Sequence, residues 1–149
     1  MGLVMREIGL VLIFHLIFIP LRVFCGGWHV GKSSTCTLVS LFVLTVSVVI
    51  GKFELIQYGS YLWIAVMIFA LLLIMHYAPL DSAAKRLSSS EIKHYRAIIR
   101  MILLLETVGF VGLFYLQEYK FAGVISSVFD IQACSLLASV IEDRVVGRK

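Results

Sequence analysis

Charge is scarce in this sequence: Asp, Glu, Lys and Arg make up 15% of its 149 residues, against about 25% in an ordinary soluble domain. Proline is scarcer, with two in the chain, so long helices go almost uninterrupted. The three cysteines, Cys25, Cys36 and Cys134, form an odd count without paired spacing, which excludes a disulfide framework and leaves thiols. The N-terminal stretch lacks the basic start, short apolar run and small-residue cleavage site of a removable signal peptide. It reads as a helix of the mature protein, and Arg6 stands where a myristoylation signal needs Ser or Thr. What the sequence has in excess is apolar: 60% of residues and a mean hydropathy of +0.99, well above the 45–50% or so of soluble domains. A polytopic membrane protein is expected. The net charge of +4 would point to nucleic acid only if the basic residues formed a patch outside the apolar runs. They sit between the runs, so lipid is the expected partner and nucleic acid is not.

Five stretches approach the 20 or so apolar residues that cross a bilayer: Ile8 to Phe24, Ser34 to Phe53, Leu55 to Tyr77, Ala97 to Leu116 and Phe121 to Ile141. The fold class is therefore all-α, a helical bundle of about five spans in one domain over residues 1–149. The first span contains His15 and Pro20 and can equally lie re-entrant or interfacial. The second is long enough only if Ser34, Thr35 and Cys36 join its helix, which puts Cys36 in the first turn. Glu54 alone separates the second and third spans, and a Gln117 to Lys120 turn the fourth and fifth, so each pair should form a tight hairpin.

Lys and Arg near span ends stay on the cytoplasmic side. Five alternating spans gather Arg22, Lys32, Lys85, Arg86, Lys93, Arg96, Arg100, Arg144, Arg148 and Lys149 on one side, ten of the thirteen basic residues, and leave Arg6, Lys52 and Lys120 on the other. This sorting predicts an external N-terminus and a cytoplasmic C-terminus in the cell membrane. The five basic residues from Lys85 to Arg100 are an inside anchor for anionic headgroups, and could also receive an acidic stretch of peptide.

The densest polar chemistry runs from Arg22 to Cys36, as RVFCGGWHVGKSSTC. A cysteine nucleophile needs its thiolate, which helix N-termini and nearby bases favour. With Ser33 or Ser34 as N-cap, Cys36 falls where free backbone N–H groups favour an anion. His29 precedes Cys36 by seven residues; on one helix the two would stand about 10.5 Å apart along the axis, too far for proton transfer at about 3 Å. The chain between them must turn. Gly26, Gly27 and Gly31 permit that turn, and free N–H groups there and at the helix start could hold an oxyanion. A membrane loop with one Cys and one His is also common by chance, and small residues serve helix packing.

The stretch Arg22-x3-Gly26-Gly27-x-His29-x6-Cys36-x3-Ser40, followed two spans later by Ala78-Pro79-x-Asp81-x3-Lys85, resembles the accessory gene regulator B (AgrB) family of membrane cysteine peptidases. The resemblance covers most of the chain and the order of its spans. It implies that His29 and Cys36 are the catalytic pair. It also implies cleavage of a small precursor peptide at the cytoplasmic face through a Cys36 thioester, and capture of that thioester by a Cys or Ser of the peptide as a thiolactone or lactone quorum-sensing signal. A homodimer, and no cofactor or metal, complete what it implies. Arg22, Asp81 and Lys85 are the expected orienting or substrate-binding residues, with Gly26, Gly27, Ser33 and Ser34 supporting the active-site loop and oxyanion.

Competing readings exist. Residues 26–33 match G-x-x-x-x-G-K-[ST], but a nucleotide loop needs a preceding strand and a soluble helix behind it. A zinc set of Cys25, His29 and Cys36 lacks a fourth ligand at structural spacing. Glu106 and Asp130 fall inside the fourth and fifth spans, where ionisable groups mark ion paths or internal pairs. Facing each other, or His15, they would suit a proton-coupled transporter or peptide exporter, the alternative function, or simply fix packing. His76 and His94 flank the segment from Ala78 to Arg96 and are reserve candidates for the base.

Overall fold

The computed structural model describes residues 7–26, 33–80 and 88–145. They form five helices: α1 Ile8–Cys25, α2 Ser33–Lys52, α3 Ser60–Tyr77, α4 Ser89–Tyr115 and α5 Tyr119–Val145. A 3-10 turn, Leu55–Gly59, joins α2 to α3. No strand occurs among the described residues, and the all-α bundle expected from hydropathy is the fold.

α5 is the central helix, packed against the other four. Every residue from Ala122 to Phe129 is buried, and Gly123, Ser126 and Ser127 keep that surface thin enough for neighbouring backbones to approach. The approach is closest at Gly51 of α2, where an added Cβ would stand 2.6 Å from the Lys120 carbonyl oxygen and 2.7 Å from Val124 Cγ2. α1 buries Leu10, Phe14, Ile17, Leu21 and Cys25 at helical spacing, while Leu12, Leu16, Ile19 and Val23 are exposed. A helix with a core stripe and an equally apolar outer face is built for lipid rather than water.

Helix ends explain where the expected boundaries shift. α4 begins eight residues before the expected Ala97, because Ser88 and Glu91 form a capping box: Glu91 N–H donates to Ser88 Oγ at 3.3 Å and Ser88 N–H to Glu91 Oε2 at 2.8 Å. Hydropathy marked only the part of that helix inside the apolar layer. α4 closes with a Schellman turn in which Glu118 N–H donates to the Leu113 carbonyl at 2.9 Å, Gln117 N–H to that of Phe114 at 3.1 Å, and Gln117 has φ 61°. The expected tight hairpin between α4 and α5 is thus present, shortened to residues 116–118.

The second expected hairpin differs. Glu54 takes φ 50°, and the 3-10 turn then consumes Leu55–Gly59, so α3 starts five residues late. Among the described residues, α1, α4 and α5 are long and apolar enough to cross a membrane, and α2 and α3 carry the apolar stretches Leu38–Lys52 and Tyr61–Tyr77. α1 is one continuous helix through Pro20, so its 18 residues extend about 27 Å and do not fold back as a re-entrant segment would.

Charge sorts between the two ends of the bundle. Lys52 lies 3.8 Å from Glu7, and Lys120 lies 3.9 Å from Glu54, which gathers the start of α1, the end of α2 and the start of α5 at one end. Arg22, in the last turn of α1, marks the opposite end.

Candidate active site

α1 stops at Cys25 because Gly26 takes φ 72° and ψ −152°, a conformation essentially restricted to glycine. The two carbonyls at this helix end are then taken by distant parts of the chain. Leu80 N–H donates to the Cys25 carbonyl at 3.0 Å, and the Gln132 side-chain amide donates from Nε2 to the Gly26 carbonyl at 2.8 Å. The first links the Arg22–Gly26 motif to the Ala78-Pro79 motif, whose X–Pro bond is cis; the second links it to the middle of α5. Gly26 also lies close under this segment, since a Cβ there would be 3.1 Å from the Leu80 carbonyl oxygen. Two motifs separated by two helices in sequence therefore meet at one end of the bundle.

Arg22 is held at the same level, where its Nη1 donates to Ser135 Oγ of α5 at 2.5 Å. Two residues further on, Phe24 and Tyr95 make an edge-on ring contact at 5.8 Å that packs α1 against α4. Neither Gln132 nor Ser135 was expected from the motifs. The signal that could have found them is the run of polar residues Asp130, Gln132 and Ser135 in an otherwise apolar span. Gln132 is fully buried, and its Oε1 has no hydrogen-bond partner among the described residues.

α2 spans Ser33–Lys52, which puts Cys36 in its first turn; the turn expected between His29 and Cys36 lies outside the described residues. The side chains of Ser33, Ser34 and Cys36, and all of Gly27, His29, Asp81 and Lys85, lie outside the described residues. Of the other sulfurs, Cys25 is a buried free thiol and Cys134 an exposed one.

Between α1, α2, α3 and α5 lies a half-open groove of about 750 Å³, lined by apolar side chains including Phe18, Val43 and Trp63, with Arg22 of α1 and Asp130 and Cys134 of α5 also on its walls. It follows α2 from Val39, one turn beyond Cys36, to Ile50. Asp130 Oδ1 is buried without a hydrogen-bond partner among the described residues.

The carboxylates do not form the pair considered from sequence. Glu106 Oε2 and Asp130 Oδ1 are each buried and unpartnered among the described residues, and only Asp130 borders the groove. His15 is exposed and its Nδ1 engages the Val11 carbonyl at 2.8 Å within its own helix, so it meets neither acid. The reserve bases are exposed too: His76 contacts the Tyr77 ring at 4.8 Å and His94 the Tyr95 ring at 6.3 Å.

Compared with known families, the chain matches the Accessory gene regulator B (AgrB) family over residues 1–136. That range takes in both motifs and, in α5, Asp130, Gln132 and Ser135. No curated protein and no solved structure matches it.

Proposed function

The chain belongs to the accessory gene regulator B family and takes part in accessory gene regulator peptide processing, and from that premise we propose that it is a membrane cysteine endopeptidase. Cys36 is the nucleophile and His29 its base. The observation that supports this reading is the meeting of the Arg22–Gly26 and Ala78–Leu80 segments at the end of the bundle where α2, with Cys36 in its first turn, begins.

In the proposed reaction His29 removes the Cys36 thiol proton as the sulfur attacks the scissile carbonyl of a small precursor peptide. The tetrahedral oxyanion collapses, the C–N bond breaks, and the proton passes from the imidazole to the departing amine, leaving a thioester. A Cys or Ser within the acylated fragment then attacks that thioester, closes a thiolactone or lactone ring, and returns Cys36 as a thiol. Thioester exchange nearly conserves bond energy, so no nucleotide is consumed. Exclusion of water decides between ring closure and hydrolysis. In this proposal the basic end of the bundle, with Arg22, Lys93, Arg96, Arg100 and Arg144, faces the cytoplasm, the N-terminus is external, and the chain works as a homodimer.

The test is co-expression with small peptides, carrying a central Cys or Ser and an acidic tail, from reading frames that neighbour this chain's gene, with mass spectrometry of the peptide. Cys36→Ser should abolish cleavage while the chain still inserts in the membrane, because a serine hydroxyl is far less acidic than a thiol. Cleavage by that variant near the parent rate would remove the mechanism, and a precursor left whole by the parent chain would favour the transporter reading.

A further inference from the structure

α4 is the least enclosed of the three long apolar helices, with 17% of its apolar window buried. Its open side is not uniform. Lys93, Arg96 and Arg100 are exposed, and so are Leu104, Val108 and Val111; at about 100° per residue all six point within about 60° of one direction. Ile99, Leu103 and Phe110 hold the other side of the helix in the core. One outward stripe is therefore cationic over its first two turns and apolar beyond them. The ion pairs found among the described residues, Lys52 with Glu7 and Lys120 with Glu54, lie at the opposite end of the bundle, so the three cations have no carboxylate partner among the described residues. The stretches that lead into α4 and follow α5, residues 81–87 and 146–149, add Lys85, Arg86, Arg148 and Lys149 against Asp81 alone. Nearby sequence thus adds to the positive charge.

Whatever covers this stripe must be anionic at one end and apolar along the rest. A second copy of the chain fails. Two copies in one membrane share an orientation, so a two-fold contact through this stripe sets Lys93, Arg96 and Arg100 against themselves, and like charges placed together are strongly disfavoured. A soluble acidic peptide meets the cations but leaves Leu104, Val108 and Val111 bare. A phospholipid meets both halves, and the dimensions agree. Arg100 to Val111 spans about 16 Å along the axis, about the depth of one leaflet in a hydrocarbon layer of about 30 Å. Arg96 and Lys93 stand about 6 and 10 Å further out, in the headgroup layer.

We propose that this face of α4 binds an anionic phospholipid, with the headgroup phosphate among Lys93, Arg96 and Arg100 and an acyl chain along Leu104, Val108 and Val111. The site selects against a zwitterionic lipid, whose own cation offsets its phosphate. It does not depend on the peptidase reading.

For the test, the full chain is purified in a non-ionic detergent and offered equal amounts of phosphatidylglycerol and phosphatidylcholine with the same acyl chains, and the lipid it retains is counted by native mass spectrometry. Phosphatidylglycerol should be retained in preference. A basic residue at a membrane surface favours anionic lipid by about fivefold, so Lys93→Gln, Arg96→Gln and Arg100→Gln should each lower the preference about fivefold, and the three together about 100-fold. Arg96→Lys with Arg100→Lys keeps the charge and should stay within about threefold. Lys52→Gln with Lys120→Gln removes two charges from the opposite end and should leave the preference unchanged. Inorganic phosphate, or a hexaglutamate peptide, at the lipid's concentration should leave the lipid bound.

Equal retention of the two lipids would overturn the proposal, as would a triple variant that keeps the preference or a Lys52 and Lys120 variant that loses it. Displacement by phosphate would make the stripe a simple anion site, and displacement by hexaglutamate a peptide surface; either result removes the lipid.

Discussion

Replacing Gln132 by Leu should damage catalysis far more than stability. The amide is fully buried and its Nε2 is the donor that takes the Gly26 carbonyl at 2.8 Å. Leu has nearly the same volume and fills the space without that donor. Leaving one carbonyl unpaired costs about 1–3 kcal/mol in a soluble protein, but polar contacts inside membrane proteins average nearer 0.6 kcal/mol because the unfolded chain in the bilayer finds other partners. We therefore expect a loss of about 1 kcal/mol, and the helical tie through Leu80 N–H to Cys25 remains. The effect on rate follows a different rule. Gly26 precedes His29, the base of the proposed reaction, by three residues in sequence, and a displacement of about 1 Å at a reacting group can cost about 100-fold. Thermal unfolding in detergent should shift by a few degrees, while single-turnover cleavage of the precursor should fall by 10- to 100-fold at unchanged peptide affinity. Gln132→Met, which keeps the length of the side chain and loses the Nε2 donor, should resemble Leu in rate. A Gln132→Leu chain that cleaves at the parent rate would refute the argument that the bond to Gly26 matters for catalysis.

Other expectations are independent of that bond. Gly51→Ala puts a Cβ within 2.6 Å of the Lys120 carbonyl, a backbone contact that cannot rotate away, so α2 must part from α5; a loss of about 1–3 kcal/mol is expected from overpacking, read as a lower unfolding temperature, and a neutral Gly51→Ala would refute the close approach. Gly26→Ala forces a side chain into φ 72° and against the Leu80 carbonyl at about 1–3 kcal/mol, and should reduce cleavage while the chain still inserts. In intact cells a membrane-impermeant amine reagent should reach Lys120, whose side chain is 53% exposed, and spare Lys93; labelling of Lys93 from outside would reverse the proposed orientation.

The hydropathy pattern carried most of the fold because a bilayer leaves the chain few ways to satisfy its backbone. Where it misplaced a boundary, a local rule was at work that hydropathy does not register: the Ser88-Ser-Ser-Glu91 capping box lengthens α4 beyond the apolar layer, and the positive φ of Glu54 leads into a 3-10 turn. Which helix is central could not be read that way. Half of the apolar window of α5 is buried, against 17% of that of α4, yet α5 carries Ser126, Ser127, Asp130 and Gln132. In water the greasiest helix goes inside; in lipid the greasy helices face outward, and the one with small and polar residues is enclosed by its neighbours.

The same reasoning accounts for the site. The His29 and Cys36 spacing is visible in sequence, but what holds the neighbouring Cys25 and Gly26 carbonyls depends on where α1 ends. At about 27 Å, its 18 residues fall slightly short of a hydrocarbon layer of about 30 Å, so its final carbonyls stop where water is not assured. They need donors from within the bundle. The Cys25 carbonyl finds Leu80 N–H and the Gly26 carbonyl finds Gln132, one from the Ala78-Pro79 motif and one from the central helix. The polar residues of α5 thus answer a deficit left by α1, more than a hundred residues away in sequence, and no pattern within either segment alone could have revealed it.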